Sequence, residues 1–271
     1  MNKLGINFEN VLSIKEELNL NVLDTLSKLK NIGISSLDVK YERLIGESSY
    51  VKDILVSGMN IGSIFTFCPL YQQNNVQKAL EMVDFATEYK IKEIMFIADI
   101  VQGGYSEEQR ANLKQNLRRI VKYAEPFGVS IGIENVGNPN SPIRNVEETL
   151  DILKSVKGLK LIFDGGNYLL YDVSPKLAVQ SVAPYVQRLH LKDRAYREIE
   201  GYYIEKTASN KPSCIVALGE GDSDVKETFE VIKNYYNGVP LVLEFPFLES
   251  NIYQKVEKSA YYVLTELLNE N

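Results

Sequence analysis

Four apolar runs in the second half of the chain each end in a residue able to ligate a metal ion. They read Val129-Ser-Ile-Gly-Ile-Glu134, Leu159-Lys-Leu-Ile-Phe-Asp164, Val186-Gln-Arg-Leu-His190 and Leu241-Val-Leu-Glu244. Taken singly, each ending has an ordinary reading. Asp164 precedes two glycines and suits a turn. His190, the only histidine in the chain, suits a satisfied core position. Glu134 and Glu244 fit such readings less well, because a glutamate closing an apolar run is costly to bury unless paired or metal-bound. The recurrence at four successive, matched positions is the informative fact. One imidazole with three carboxylates is a hard, oxygen-rich, anionic donor set. It suits one divalent ion, Mn2+ first, then Mg2+ or Co2+, and Zn2+ accepts such ligands too.

These residues need a scaffold that brings four strand ends to one place. Eight candidate strands recur along the chain: Leu4–Phe8, Ile34–Val39, Ile61–Phe67, Glu93–Ile97, Val129–Glu134, Leu159–Asp164, Val186–Leu191 and Leu241–Glu244. One strand falls about every 34 residues, near the span of a strand plus its crossover helix. Between them lie amphipathic segments. Leu113, Leu117, Ile120, Val121 and Ala124 share one helical face, as do Val256, Ala260, Val263, Leu264 and Leu267. Gly128, Gly158 and Gly238 each precede a strand, where a helix stops or a loop turns tightly. Strand–helix alternation implies a parallel sheet, and eight copies close into a single (β/α)8 TIM barrel of the α/β class. The runner-up is an open doubly wound sheet, but no GxGxxG follows the first strand. No linker or low-complexity tract divides the chain, so residues 1–271 read as one barrel domain. In this fold chemistry sits at the C-terminal ends of the strands, so Glu134, Asp164, His190 and Glu244 would ring one point at the barrel mouth.

Composition narrows the partners. The chain has 271 residues, 45% hydrophobic, with net charge −6, enough apolar material for a large core. An acidic surface repels phosphate backbones, which argues against nucleic acid. No run of 18 apolar residues suggests a membrane span, and the opening MNKLGINFEN does not read as a secretory signal. Cys68 and Cys214 are too far apart for a CxxC site. They read as reduced thiols of a cytoplasmic protein. A homo-oligomer is compatible with all of this.

Five motifs resemble the xylose isomerase-like barrel superfamily, which holds sugar phosphate isomerases and epimerases, inosose dehydratases and the apurinic endonuclease branch. They are Ile131-Gly-Ile-Glu134-Asn135, Phe163-Asp164-Gly-Gly-Asn167, Leu189-His190-Leu-Lys192-Asp193, Leu218-Gly-Glu220-Gly-Asp222 and Leu243-Glu244, in the family's order over about residues 90–250. The resemblance implies a divalent metal held by Glu134, Asp164, His190 and Glu244, with the two glutamates facing each other across a bound sugar. The departures inform as well. Many members carry a histidine where this chain has Asn167. The endonuclease branch uses several histidines for three zinc ions, which one histidine cannot supply. Strand two often ends in glutamate among the epimerases, whereas here Asp38 and Lys40 flank that position.

The implied chemistry begins with a divalent ion polarising a sugar carbonyl. Glu134 or Glu244 then takes the acidified C–H proton, giving a cis-enediolate. Proton return by the opposite glutamate epimerises, return to the neighbouring carbon isomerises, and loss of a β-hydroxyl dehydrates. The leading expectation is a metal-dependent isomerase or epimerase of a ketose or related polyol. The alternatives are an inosose-type dehydratase on the same site and a metal-binding barrel without catalysis. Asn167, Lys192, Arg194, Glu220 and Lys40 are the candidate substrate contacts, each with a structural reading beside it. For Lys192 that reading is a salt bridge with Asp193, and for Lys40 a solvated loop position. The 193–223 segment reads as a long loop: a lid, a surface excursion or a self-association contact.

Overall fold

The computed structural model describes residues 4–46, 48–246 and 251–269. Eleven strands are named in chain order among them: β1 Leu4–Asn7, β2 Ser36–Lys40, β3 Asn60–Cys68, β4 Glu93–Ala98, β5 Ser130–Glu134, β6 Lys160–Asp164, β7 Val186–Leu191, β8 Asp193–Ala195, β9 Ile204–Lys206, β10 Pro212–Val216 and β11 Leu241–Leu243. Eight of them close a barrel in the order β1-β11-β7-β6-β5-β4-β3-β2. Every pairing around it is parallel. This is the (β/α)8 barrel, and all strand C-termini therefore open at one mouth.

Most strand boundaries fall within a residue or two of those read from the sequence. β2 starts later than expected, because Ile34 follows the left-handed Gly33 (φ 90°) and packs in the core before pairing begins. It consequently extends to Lys40. β11 stops at Leu243, so Glu244 is the first residue beyond the strand.

The helices form for local reasons that the sequence shows. Glu107–Ala124 opens with a capping box, Ser106 and Gln109 each satisfying the other's backbone amide. It buries Leu113, Leu117, Ile120 and Ala124 against the barrel and leaves Val121 half-buried. Gly128 then takes a left-handed conformation (φ 64°) that returns the chain to β5. Gly158 (φ 89°) and Gly238 (φ 105°) do the same before β6 and β11.

The 193–223 segment is no structureless loop. β8, β10 and β9 make a small antiparallel sheet in that order. Alternation carries Ala195, Cys214 and Val216 to one face, where they form a miniature core. The opposite faces reach the barrel mouth, and Arg194, Tyr203, Glu205 and Ile215 wall a cavity there.

Candidate metal centre and active site

β5, β6, β7 and the turn after β11 deliver their polar endings to one point. Ligand-type atoms of Glu134, Asp164, His190 and Glu244 all lie within 4.8 Å of one another. Strand register brings two of them together directly, since Asp164 and His190 are neighbours across β6 and β7. Asp164, His190 and Glu134 are buried, and Glu244 stays partly open. His190 Nδ1 is 2.9 Å from both Glu134 Oε1 and Glu244 Oε2. Its Nε2 is 3.2 Å from Asp38 Oδ2. Asp38 thus supplies the second-nitrogen acceptor that a histidine ligand commonly has.

Arg188 extends this chain toward the other end of the barrel. A bulge between β6 and β7 skips Gln187, so Arg188 pairs Ile162 and faces inward with His190 two residues on. Its side chain is 2% exposed. Arg188 Nε donates to Glu93 Oε2 at 3.0 Å. Its Nη1 lies 3.0 Å from Asp38 Oδ1, a charge contact without hydrogen-bond alignment.

At the mouth, Lys192 Nζ lies 2.6 Å from Asp164 Oδ2 and 3.0 Å from Glu244 Oε1. It also donates to Asn167 Oδ1 at 3.2 Å. Lys192 therefore turns to the carboxylate cluster and not to Asp193. Gly166 permits the approach, because a Cβ there would stand 2.7 Å from the Lys192 carbonyl oxygen and 2.9 Å from its Cγ. Asn135, to which no role attached in the sequence, ties β5 to β6. Its Nδ2 donates to the Asp164 carbonyl at 2.8 Å, and its Oδ1 accepts from the Asp164 N–H at 2.9 Å. Asn167 Nδ2 donates to the Asn135 carbonyl at 2.9 Å. Asn167 is thus a strut between strand ends.

Burial and neighbours set the protonation tendencies. Burial alone would lower the His190 pKa, but the surrounding carboxylates raise it well above the ordinary value. Burial raises Glu134 and Asp164, against the pull of His190 and Lys192 respectively. Burial acts upward on Glu244 too, yet Lys192 and His190 hold it well below the usual carboxylate range. Lys192 is itself raised despite burial, by Asp164 and then Glu244.

The cluster fits a divalent cation. Asp164 Oδ1 caps the helix Gly165–Leu170 by accepting the Asn167 N–H. Asp164 Oδ2 is buried beside three other ligand-type groups, with the Lys192 ammonium in charge contact at 2.6 Å but no aligned hydrogen bond. A hard cation is the natural partner of an oxygen so placed.

Two cavities meet at Glu244. One, of about 560 Å3, is lined by Glu134, His190, Glu244 and Lys40 together with Phe65, Phe67, Met95 and Ile97. The other, of about 420 Å3, is lined by Asn167, Lys192, Arg194, Tyr203 and Glu244. Arg194 is buried, donating to Ser213 Oγ at 3.0 Å and pairing with Glu205 at 2.6 Å. Glu220 is not brought to the centre. Asp193 gathers the N–H groups of Gly219, Gly221 and Ser223 at 2.9, 3.0 and 3.1 Å. That inward turn of the backbone leaves the Glu220 side chain exposed and paired with Lys258 at 3.1 Å.

Comparison with solved structures finds the same fold repeatedly. One is L-ribulose 3-epimerase, with TM-score 0.72 and 15% identity over 100% of this chain and 96% of that one. Another is the IOLI protein with a bound zinc atom, with TM-score 0.74 and 15% identity over 99% of both chains. A third is the probable 3-DHS dehydratase AsbF from Bacillus anthracis, with TM-score 0.73 and 15% identity over 98% of this chain and 100% of that one. At such identities the likeness concerns the fold. A search of curated protein sequences finds no match. The model of one family covers residues 57–260, well over half of the chain and all four residues of the cluster. By sequence as well as by fold, this chain belongs to the xylose isomerase-like TIM barrel family.

Proposed function

We propose that the chain is a divalent-metal-dependent sugar isomerase or epimerase, acting as one domain over residues 1–271 on a ketose or related polyol. The observation that carries this reading is that Glu134, His190 and Glu244 line one cavity large enough for a sugar, with Asp164 completing the donor set. A divalent ion held by these four residues, with Mn2+ proposed, would polarise a substrate carbonyl and acidify the neighbouring C–H. Glu134 and Glu244 both line this cavity, which supports giving one the role of the base that leaves a cis-enediolate and the other that of the acid that reprotonates it. Glu244 faces both cavities, and Lys192, which lines the second beside it, is the candidate contact for a substrate hydroxyl. Two buried free thiols support a reducing, cytoplasmic setting. Among the described residues no helix is long and apolar enough to cross a membrane.

The test is Glu134→Gln and Glu244→Gln, with Mn2+ content measured alongside turnover. An amide oxygen still ligates but takes no proton from carbon. Each variant should therefore keep some metal while losing about 10²–10⁴-fold in rate. With the proton-abstracting glutamate intact and its partner replaced, substrate C–H should still exchange with deuterated water without product. The reverse variant should do neither. Dehydration is a second reading, favoured by the fold shared with the probable 3-DHS dehydratase; loss of water from an inosose would select it. If wild type with Mn2+, Mg2+ or Co2+ exchanges no C–H on any ketose or inosose, the chain is a metal-binding barrel without catalysis.

A further inference from the structure

The larger cavity has one feature that metal-assisted proton transfer leaves unused. Its rim carries four charged side chains, Glu9, Lys40, Glu42 and Arg43. Three of them are already neutralised locally. Arg43 Nε and Nη2 donate to the two oxygens of Glu9, each at 2.9 Å. Lys78 holds Glu42, with Thr66 bridging them. Lys40 differs. It is the half-buried last residue of β2, and no carboxylate partners it among the described residues. Its ammonium lies over the Phe67 ring, 5.6 Å from the centroid, a weak and adaptable contact.

An unpartnered cation is out of place on electrostatic grounds only if the cavity is meant for neutral ligands. The cavity floor carries Glu134 and Glu244, and the protein as a whole has net charge −6. Once a divalent ion balances that floor, the Lys40 ammonium is the charge of this lining left without a carboxylate partner among the described residues, and it attracts an anionic group where the ligand enters. The apolar lining beside it, Phe65, Phe67, Met95 and Ile97, suits the C–H face of a carbon skeleton.

Resting on the isomerase reading above, we propose that Lys40 receives a carboxylate on the substrate, which makes that substrate a keto-sugar acid. A single ammonium matches a monoanion. A phosphate dianion calls for further donors, and the adjacent guanidinium of Arg43 is engaged with Glu9.

The experiment uses Mn2+-loaded protein and three ketoses alike at the reacting end: fructose, fructuronate and fructose 6-phosphate. Binding is measured by calorimetry in wild type, Lys40→Met and Lys40→Arg, with melting temperature reporting folding. Fructuronate should bind wild type about tenfold or more tightly than fructose, the size of one charge-assisted contact. That preference should fall to roughly twofold or less in Lys40→Met, return in Lys40→Arg, and weaken with added salt. Equal affinity for fructose and fructuronate in wild type overturns the proposal, as does a preference that survives Lys40→Met. Fructose 6-phosphate binding best overturns the carboxylate assignment, and failure of all three to bind overturns the subsite. Deuterium exchange on the same samples keeps the two readings apart. A Lys40-dependent acid preference without C–H exchange sustains the subsite and sinks the catalytic reading. Exchange without acid preference does the reverse.

Discussion

Replacing Asp38 by asparagine isolates how the barrel interior prepares His190 for a metal. Asp38 is fully buried and meets one group on each oxygen: His190 Nε2 at 3.2 Å on Oδ2, and Arg188 Nη1 in charge contact at 3.0 Å on Oδ1. Asparagine keeps the shape but offers one acceptor. If its oxygen turns to Arg188, its NH2 opposes the His190 Nε2–H. The imidazole then moves its proton to Nδ1, the nitrogen that faces Glu134 and Glu244, and that nitrogen loses its lone pair. If the amide flips, two donors meet at a guanidinium that is 2% exposed. Removing such an outer partner of a histidine ligand costs about 10–100-fold in metal affinity, or about 1.4–2.8 kcal/mol. The stability loss should fall below the ~3–5 kcal/mol of a buried charge stripped of its partner, because Arg188 keeps Glu93. Free Mn2+ measured by electron paramagnetic resonance gives the affinity, and urea unfolding of chelated protein gives the stability. Glu93→Gln is the control: it disturbs Arg188 without touching His190, so it should lower stability and spare Mn2+ affinity. A folded Asp38→Asn protein that binds Mn2+ as tightly as wild type refutes the tautomer argument.

Three further outcomes are expected. His190, Glu134 and Asp164 all hold protons more tightly when folded. For His190 the resulting stabilisation is fully present below its unfolded value of 6.5 and is lost as pH rises through the raised folded value. Chelated protein should therefore melt at falling temperatures as pH climbs, and the stabilisation given by Mn2+ should grow over the same range; a Mn2+ effect that shrinks with pH contradicts this. Burial pushes the Cys68 thiol up to about 11, leaving roughly one part in a thousand as thiolate at pH 8. Cys68 and the equally buried Cys214 should react with a disulfide reagent only after unfolding, and rapid labelling of native protein would count against the packing described. Gly166→Ala places a Cβ 2.7 Å from a Lys192 backbone oxygen; it should cost about 1–3 kcal/mol in urea unfolding, and wild-type stability would show that the contact relaxes freely.

The four ligand-type residues are legible in the sequence because each closes an apolar run, and a parallel barrel sends every such ending to one mouth. Asp38 and Arg188 carry no comparable signal. Each sits within a strand, at a position where alternation equally suits a solvated face, and the residues they meet are distant: Asp38 and His190 are 152 positions apart. Only barrel closure, with the bulge that turns Arg188 inward, decides which face is interior. Glu220 misleads for a related reason. Its motif is a true feature, but the backbone amides around it converge on Asp193 and the side chain is left outside. The small sheet in 193–223 escapes a period-based reading because its strands have three to five residues, too few for alternation to stand out.

Charge along the barrel axis ties these observations together. Among the described residues, Glu93 and Asp38 share Arg188, while Glu134, Asp164 and Glu244 share Lys192 and His190. In the inner group two carboxylates face one permanent cation, and Asp38 passes its remaining negative character to His190 Nε2. In the outer group three carboxylates face one ammonium and one imidazole. With the imidazole neutral, that group carries two negative charges in excess, which one divalent ion balances. With the imidazole protonated the excess is one, and protonation of a buried carboxyl removes the remainder, the direction in which Glu134 and Asp164 are pushed. Protons and a divalent cation are thus rival solutions to one electrostatic problem. Lys192 supplies only part of the balance, because a single ammonium already divides itself between Asp164 and Glu244. Burying such a surplus uncompensated is expensive. The same surplus that destabilises the barrel on chelation is what makes Glu134, Asp164, His190 and Glu244 a favourable site for a divalent ion.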